Sequence, residues 1–150
     1  MIDIINGGVL LTKGDLYRTL KEDHENVKKL LKETIESGKT DKFSQIKKNL
    51  EVHMTGEESL LYPPMEFVDE EMVKKNEYEH DLAWRKLLFL DNADKKDPEW
   101  MLNLKELNDL IVKHVDREEK QLFPKASEVL SEESEDDIMK IIEETKEENL

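Results

Sequence analysis

The stretch HMTGEESLLYP at residues 53–63 returns as HVDREEKQLFP at residues 114–124. Both stretches read His-x-x-x-Glu-Glu-x-x-Leu-aromatic-Pro, and the six motif positions align without a gap. A histidine and a glutamate four residues apart lie on the same face of an α-helix. The repeat therefore predicts two helices of similar role, each of which directs one histidine and one glutamate to the same side.

The other two histidines stand in settings that resemble each other. His24 and His80 each follow a pair of residues that ends in a carboxylate, and a Leu-Leu pair follows each of them, at 30–31 and 87–88. The chain therefore reads as a helix hairpin used twice, with one of its four histidines on each of four helices.

Four long stretches carry apolar residues at three- and four-residue spacing, the periodicity of helices that bury one face. Short connections between helices of this length favour antiparallel neighbours. The predicted fold is all-α, an antiparallel up-down four-helix bundle with an additional short C-terminal helix. The predicted helices run over about 15–37, 40–67, 70–92, 98–129 and 134–146.

Glycine and proline set the predicted helix ends. Gly38 stops the first helix, and Asp97 before Pro98 gives an N-cap followed by proline at the first helical position of the fourth. The proline pair at 63–64 is expected to kink or break the second helix before a last turn near Phe67.

Length and composition bound the organisation of the chain. With 150 residues and 37% hydrophobic content it can build one core, so residues 1–150 are predicted to form a single domain, with an N-terminal arm at 1–13 and the bundle at about 15–129. The formal charge of −14 repels nucleic acid and anionic membranes, so neither is an expected partner. Because neither a membrane span nor a signal peptide is recognisable, a cytoplasmic location is expected.

The chain has no cysteine, so any metal must be held by histidine and carboxylate. The helical phase turns six polar side chains toward the core, and their distances from the predicted turns place them at one level of the bundle. A lone histidine on an apolar face is more often a hydrogen-bonded core residue. Two buried carboxylates beside four imidazoles instead require a cation, because each unpaired carboxylate costs several kcal/mol to bury. The predicted metal ligands are His24, His53, Glu57, His80, His114 and Glu118.

Four imidazoles and two carboxylates are too many ligands for one tetrahedral zinc ion. They suit two six-coordinate ions, each with two histidines and a share in two bridging carboxylates. Iron fits this ligand set best, with manganese or zinc as alternatives.

The paired motifs, together with single histidines at His24 and His80, resemble the hemerythrin-like HHE cation-binding family over about residues 15–129. The resemblance implies an up-down four-helix bundle whose matching residues bind two iron ions as an oxo- or hydroxo-bridged di-iron centre, with Glu57 and Glu118 as the bridges.

The chain departs from the oxygen-carrying hemerythrins on its third helix. Those proteins have a His-x-x-x-His pair there. Here the position four residues before His80 is occupied by Asn76 instead of a histidine. The remaining set of four histidines and two glutamates is similar to that of the iron-centre repair proteins, without their cysteine-bearing domain. The missing histidine is expected to leave an open or water-occupied position. Glu77, in the spacing Glu77-x-x-His80, is either a further ligand or a solvated helix charge.

Several neighbours of the ligands have two interpretations. Acidic residues next to ligands either accept imidazole N–H groups or face solvent. Three larger side chains are expected to pack in the core. The alternative is lining of the ligand pocket for Tyr17, and limiting access to the irons for Trp84 and Met54. The acidic residues are Glu58, Glu119, Glu25 and Asp81, and the larger side chains are Tyr17, Trp84 and Met54.

The ligand set predicts a protein that binds or senses dioxygen, nitric oxide or peroxide. If it is a sensor, it is expected to contact a protein redox or signalling partner. The alternative is a redox enzyme that reduces these molecules, or an iron donor to damaged iron–sulfur clusters. A purely structural metal ranks last, because structural sites are usually coordinatively closed.

Overall fold

A computed structural model describes residues 2–4, 10–12 and 15–148. Two short strands, β1 (Ile2–Ile4) and β2 (Leu10–Thr12), pair antiparallel with Ile2 opposite Thr12. The rest of the predicted N-terminal arm lies outside the described residues. The helices that follow are α1 (Asp15–Ser37), α2 (Phe43–Gly56), α3 (Tyr62–Met65), α4 (Glu70–Asn92), α5 (Pro98–Arg117), α6 (Phe123–Val129) and α7 (Glu132–Glu148).

Two π-helical turns, Glu57–Leu61 and Glu118–Leu122, join α2 to α3 and α5 to α6. The four bundle helices are therefore α1, α2–α3, α4 and α5–α6. The first packs against the second and the fourth, and the third also packs against both of these, so the four surround one interior. The predicted all-α bundle is confirmed, and α7 packs against α1 and α2 on its outside.

Local signals explain where the helices begin and end. Gly38 ends α1 with a φ of 71°, a conformation that favours glycine because it has no Cβ. Asp97 caps α5 by accepting a hydrogen bond from the backbone N–H of Glu99 at 3.0 Å. Within the described part of the chain, no helix is long and apolar enough to cross a membrane.

Of the predicted kink or break at residues 63–64, the break is wrong. The second helix runs through both prolines to Met65, and Phe67 lies in the following turn with 96% of its surface exposed. The preceding π turn explains the difference, because the N–H of Tyr62 bonds to the carbonyl of Glu57, five residues back. This shift widens the helix, so the proline ring follows without the clash it causes in a regular α-helix.

The buried apolar side chains form two cores, one on each side of the level at which the histidines lie. The first core lies toward the α1–α2 and α4–α5 connections and includes Leu31, Phe43, Leu87 and Trp100. The second core lies toward the π turns and includes Leu16, Leu61, Val73 and Leu122.

Candidate metal centre

The structure brings all six predicted ligands together between the two cores. Each bundle helix supplies one histidine, and each π turn supplies one glutamate as its first residue. The glutamates are fully buried, and the histidine side chains are at most 8% exposed. The six form two groups in which the ligand atoms lie within 4.8 Å of one another: His24, His53, Glu57 and Glu118, and Glu57, His80, His114 and Glu118.

Both glutamates span the two pairs of histidines. Oε1 of Glu57 lies 3.0 Å from Nε2 of His53 and 3.3 Å from Nε2 of His80. The two oxygens of Glu118 each lie 3.2 Å from an Nε2 atom, one on His24 and the other on His114. This sharing is the arrangement that two carboxylates need in order to bridge a pair of metal ions.

The outward nitrogen of each histidine faces a carboxylate. Nδ1 of His24 lies 2.7 Å from Glu119, and Nδ1 of His114 lies 2.9 Å from Glu79. A neutral imidazole that donates from Nδ1 has a lone pair on Nε2. These contacts therefore orient the rings so that Nε2 is free to bind metal.

The other two histidines also face a carboxylate, but in the described part of the chain their Nδ1 atoms lie at ion-pair distance without forming a hydrogen bond. Nδ1 of His80 lies 3.3 Å from Glu58, and Nδ1 of His53 lies 3.5 Å from Asp23. Each of these four carboxylates, hereafter the outer carboxylates, comes from the bundle helix that precedes the one bearing its histidine, with the fourth helix serving the first. The outer carboxylates are Asp23, Glu58, Glu79 and Glu119.

Further side chains position the outer carboxylates. Lys146 on α7 contacts Asp23 at 2.8 Å, and Arg117 contacts Glu79. The indole N–H of Trp84 donates to Glu58 at 3.3 Å. The site therefore extends outward to α7, which lies outside the four-helix bundle.

The unsatisfied polar atoms at the centre test whether metal fits. Nε2 of His24 faces Nε2 of His53 at 2.9 Å, and the equivalent atoms of His80 and His114 are 3.1 Å apart. Both carboxylate oxygens of Glu57, fully buried, have no hydrogen-bond donor within the described chain. Buried acceptors without a donor are costly unless a cation lies beside them. The residues therefore fit metal ions with nitrogen and oxygen ligands.

The electrostatics of the site also favour cations. Burial lowers the pKa of His53, but the charge of Glu57 and the contact with Asp23 outweigh burial and raise this pKa to about 10. Similar contacts raise the pKa of His80 and His114 against the opposing effect of burial. Burial raises the pKa of Glu118, whereas its contacts with neighbouring side chains, His114 among them, hold it well below its usual range. The protein surroundings therefore stabilise positive charge at this level.

The sequence analysis identified some of the residues that surround the six candidate ligands and missed others. Glu58 and Glu119 contact histidines as the first interpretation predicted. Glu25 and Asp81 instead face solvent, and each pairs with a basic residue on its own helix. Glu77 is exposed and lies outside both ligand groups, as a solvated helix charge does.

The sequence analysis did not identify three polar residues that contact the candidate ligands directly. Asp23 and Glu79 each directly precede a histidine in the sequence but contact the histidine of the next helix. That shared position before His24 and His80 was the signal that could have identified them. The third residue is Tyr62, whose hydroxyl donates to Glu118 at 2.6 Å.

A small apolar cavity adjoins the histidines on the side of the first core. Its volume is about 20 Å³, and its lining includes all four histidines together with Leu50, Met54, Ala83 and Ile111. A cavity of this size holds about one water-sized molecule. Met54 thus lines the pocket as well as packing in the core. Tyr17 packs in the second core, with its ring 5.5 Å from that of Phe123.

Comparison with known proteins gives one match. A family model described as Hemerythrin, the hemerythrin HHE cation binding domain, matches residues 15–126. This range includes all six residues of the two ligand groups. No curated protein and no solved structure gives a significant match to the chain.

Proposed function

The chain belongs to the hemerythrin HHE cation-binding domain family, and we propose on this basis that it is a non-haem di-iron protein that binds or senses dioxygen, nitric oxide or peroxide. The single observation that carries the proposal is that two pairs of histidines share the same two buried glutamates. A site for a single metal ion would need only one of the two ligand groups.

Each ion would have a defined set of protein ligands. His24 and His53 would hold one ion, His80 and His114 the other, and both glutamates would be shared. Two imidazoles and two carboxylate oxygens would give each ion four protein ligands and leave two places for small molecules in a six-coordinate shell, the geometry proposed here for iron. Bound iron would supply reversible electron transfer to a small molecule.

The surroundings of the site support binding of a diatomic molecule. The cavity of about 20 Å³ has room for about one water-sized molecule beside all four histidines, and this small volume disfavours larger substrates. The outer carboxylates keep the imidazoles oriented while a small molecule enters or leaves.

Iron content and the spectrum of the anaerobically reduced protein, before and after addition of air, test the proposal. About two irons per chain and a lasting oxygenated absorption band support reversible binding. Immediate irreversible oxidation of two bound irons favours the redox enzyme or the iron donor instead. A protein that binds neither iron nor a second transition metal at this site would overturn the proposal.

Variants show whether the six residues hold the iron. His53→Ala and His114→Ala each remove one imidazole and are expected to reduce the iron content below two per chain. Glu77→Gln is the matched control, because Glu77 is exposed on the same helix as His80. Full retention of both irons in the histidine variants would refute the assigned ligands.

A further inference from the structure

A surface cleft between α1 and α2 leads to the histidines of the metal centre. Its volume is about 450 Å³, and its lining is mainly polar, with Asn49 and Lys146 among the lining residues. Three side chains line both this cleft and the small apolar cavity beside the four histidines: Asp23, Val27 and His53. These three therefore form the wall between the cleft and the cavity.

The polar atoms of this wall are not saturated. The side chain of His53 is only 8% exposed, yet its Nδ1 atom has no hydrogen-bond partner among the described residues. Oδ2 of Asp23 is buried 3.5 Å from this nitrogen and has no such partner either. A carboxylate oxygen and an imidazole nitrogen are donor types that bind divalent transition metals. The wall thus offers a cation one oxygen and one nitrogen ligand.

The other three interfaces between neighbouring bundle helices are held by contacts within the bundle at this level. Glu119 lies 2.7 Å from its histidine between the fourth helix and the first. Arg117 contacts Glu79 between the third helix and the fourth. Trp84 donates to Glu58 between the second helix and the third. The outer carboxylate at the α1–α2 interface, in contrast, lies in an open cleft.

A large groove between α2 and α4 shows that volume alone does not give access to the centre. This groove is lined by Val52, Thr55 and Trp84, and none of the four histidines is part of its lining. The α1–α2 cleft has a similar volume but reaches both His53 and Asp23. It therefore offers the more direct path from solvent to the candidate ligands.

Lys146 of α7 covers this path from outside the bundle. Its Nζ atom lies 2.8 Å from Oδ1 of Asp23, and one third of its side chain is exposed. Ion pairs that solvent reaches are weak. A divalent cation carries twice the charge of the ammonium group and can displace it from the carboxylate.

Given the proposed di-iron function, we propose that divalent metal ions enter the centre through the α1–α2 cleft and are first held by Asp23 and Nδ1 of His53. Lys146 leaves Asp23 when the ion arrives and returns after it has passed. The ring of His53, which no hydrogen bond holds at Nδ1, turns to admit the ion. Asp23 is thus part of a loading site, distinct from the six ligands that hold the ions finally.

The rate of anaerobic Co²⁺ uptake by the metal-free full chain, followed by stopped-flow absorbance, tests this loading site. Asp23→Asn removes the charge that attracts the cation and is expected to slow uptake by about tenfold or more. Glu79→Gln is the matched control, because Glu79 also directly precedes one histidine and contacts another but does not line the cleft. It is expected to weaken the final affinity without slowing uptake.

Two further variants change the cleft and leave its carboxylate in place. Asn49→Trp fills the cleft with a large ring and is expected to slow uptake and release alike, so it tests the path even if Asp23→Asn fails to fold. Thr55→Trp is its control, because Thr55 is exposed on the same helix and lines the other groove. Lys146→Met removes the displaceable ammonium group and is expected to speed both uptake and release.

The outcomes separate the entry path from the final binding of metal. If the wild type binds two ions of neither iron nor cobalt, the proposed function fails and the loading site fails with it. If two ions bind but Asp23→Asn and Asn49→Trp load as fast as the wild type, only the entry path is overturned. Equal slowing by Asp23→Asn and Glu79→Gln overturns the loading site, because orientation of the histidines would then explain both.

Discussion

Oε2 of Glu119 lies 2.7 Å from Nδ1 of His24, although 95 positions separate the two residues in the chain. The contact joins the fourth bundle helix to the first. It completes a closed series in which every bundle helix places a carboxylate beside the Nδ1 atom of the histidine on the next helix. The metal centre therefore depends on the relative placement of all four helices.

Glu119→Gln tests this dependence. The amide keeps the shape of the side chain but removes the negative charge that anchors His24, so we expect the affinity for metal to fall by about 10–100-fold. Competition with a chromophoric chelator measures the change. Glu25→Gln is the control, because Glu25 adjoins His24 in sequence but is exposed beside Lys28. Equal affinities in the two variants would contradict the anchoring role.

Lys146→Met is expected to have a smaller effect. Lys146 contacts Asp23 at 2.8 Å, and Asp23 lies 3.5 Å from His53, so the lysine acts on the centre through one intermediate carboxylate. A partly exposed pair contributes up to about 1 kcal/mol, which corresponds to a loss of affinity of about fivefold at most. The chelator competition applies here too, with Lys140→Met on the exposed face of α7 as the control. A loss as large as that of Glu119→Gln would contradict this ranking.

The stability of the metal-free protein is expected to fall as pH rises above neutrality. The pKa of His53 is raised from 6.5 to about 10, and those of His80 and His114 are also raised. A raised pKa in the folded state contributes stability that is complete below about pH 6.5 and is lost as pH approaches the folded value. Thermal unfolding at pH 6.5 and pH 9.5 measures this loss. An unchanged or higher Tm at pH 9.5 would contradict the prediction.

The affinity for metal is expected to change in the opposite direction. Each histidine must lose its proton before it binds an ion, so metal binding at pH 7 releases protons and strengthens as pH rises. A pH-indicator dye in weakly buffered solution detects the release. Absence of proton release at pH 7 would show that the imidazoles are already neutral.

Removal of the metal is expected to lower the unfolding temperature. At a metal concentration about 1,000 times the Kd, binding stabilises the folded chain by about 4 kcal/mol, which corresponds to about 10 °C for a protein of this size. Calorimetry with and without a chelator measures the shift. His114→Ala is expected to show a smaller shift than the wild type, and an equal shift would place the stabilising ion elsewhere.

Leu107→Ala tests the first core. Leu107 is completely buried, so the substitution is expected to cost about 2–5 kcal/mol in the free energy of unfolding. Leu102 lies on the same helix, α5, with 49% of its surface exposed, and Leu102→Ala is expected to stay within about 0.5 kcal/mol of the wild type. Urea denaturation of both metal-free variants measures the difference, and similar costs would contradict the assigned core.

The sequence was sufficient to place the candidate ligands at one level because helical periodicity fixes both direction and height. His53 and Glu57 are four residues apart, and Gly38 lies nearly midway between His24 and His53. These relations depend only on the rise and turn of a helix. The structure brings the same six side chains together, and their role as ligands remains the proposal.

The π turns could not be predicted in the same way. Pro63 in a regular α-helix removes a hydrogen bond and clashes with the preceding turn, so a break was expected. The structure resolves this conflict by a local change of hydrogen-bond partner, in which Tyr62 reaches back to Glu57. Apolar spacing alone does not distinguish a broken helix from one that continues through a π turn.

The outer carboxylates show a second limit of sequence. Asp23 and Glu79 lie next to ligands in the chain, but they serve histidines on other helices. Which neighbour a carboxylate reaches depends on how each helix is rotated against the next, and side-chain spacing within one helix does not determine that rotation.

The division of the candidate ligands between the two helix hairpins has a consequence for how the hairpins are held together. The hairpin of α1 and α2–α3 supplies His24, His53 and Glu57 to one group, whose fourth member, Glu118, comes from the hairpin of α4 and α5–α6. The second group likewise includes Glu57, which comes from the first hairpin. Each hairpin therefore lacks one glutamate of its own group and supplies one glutamate to the group of the other hairpin. Neither hairpin can therefore complete a ligand group alone, so a metal ion bound by either group would join the two hairpins.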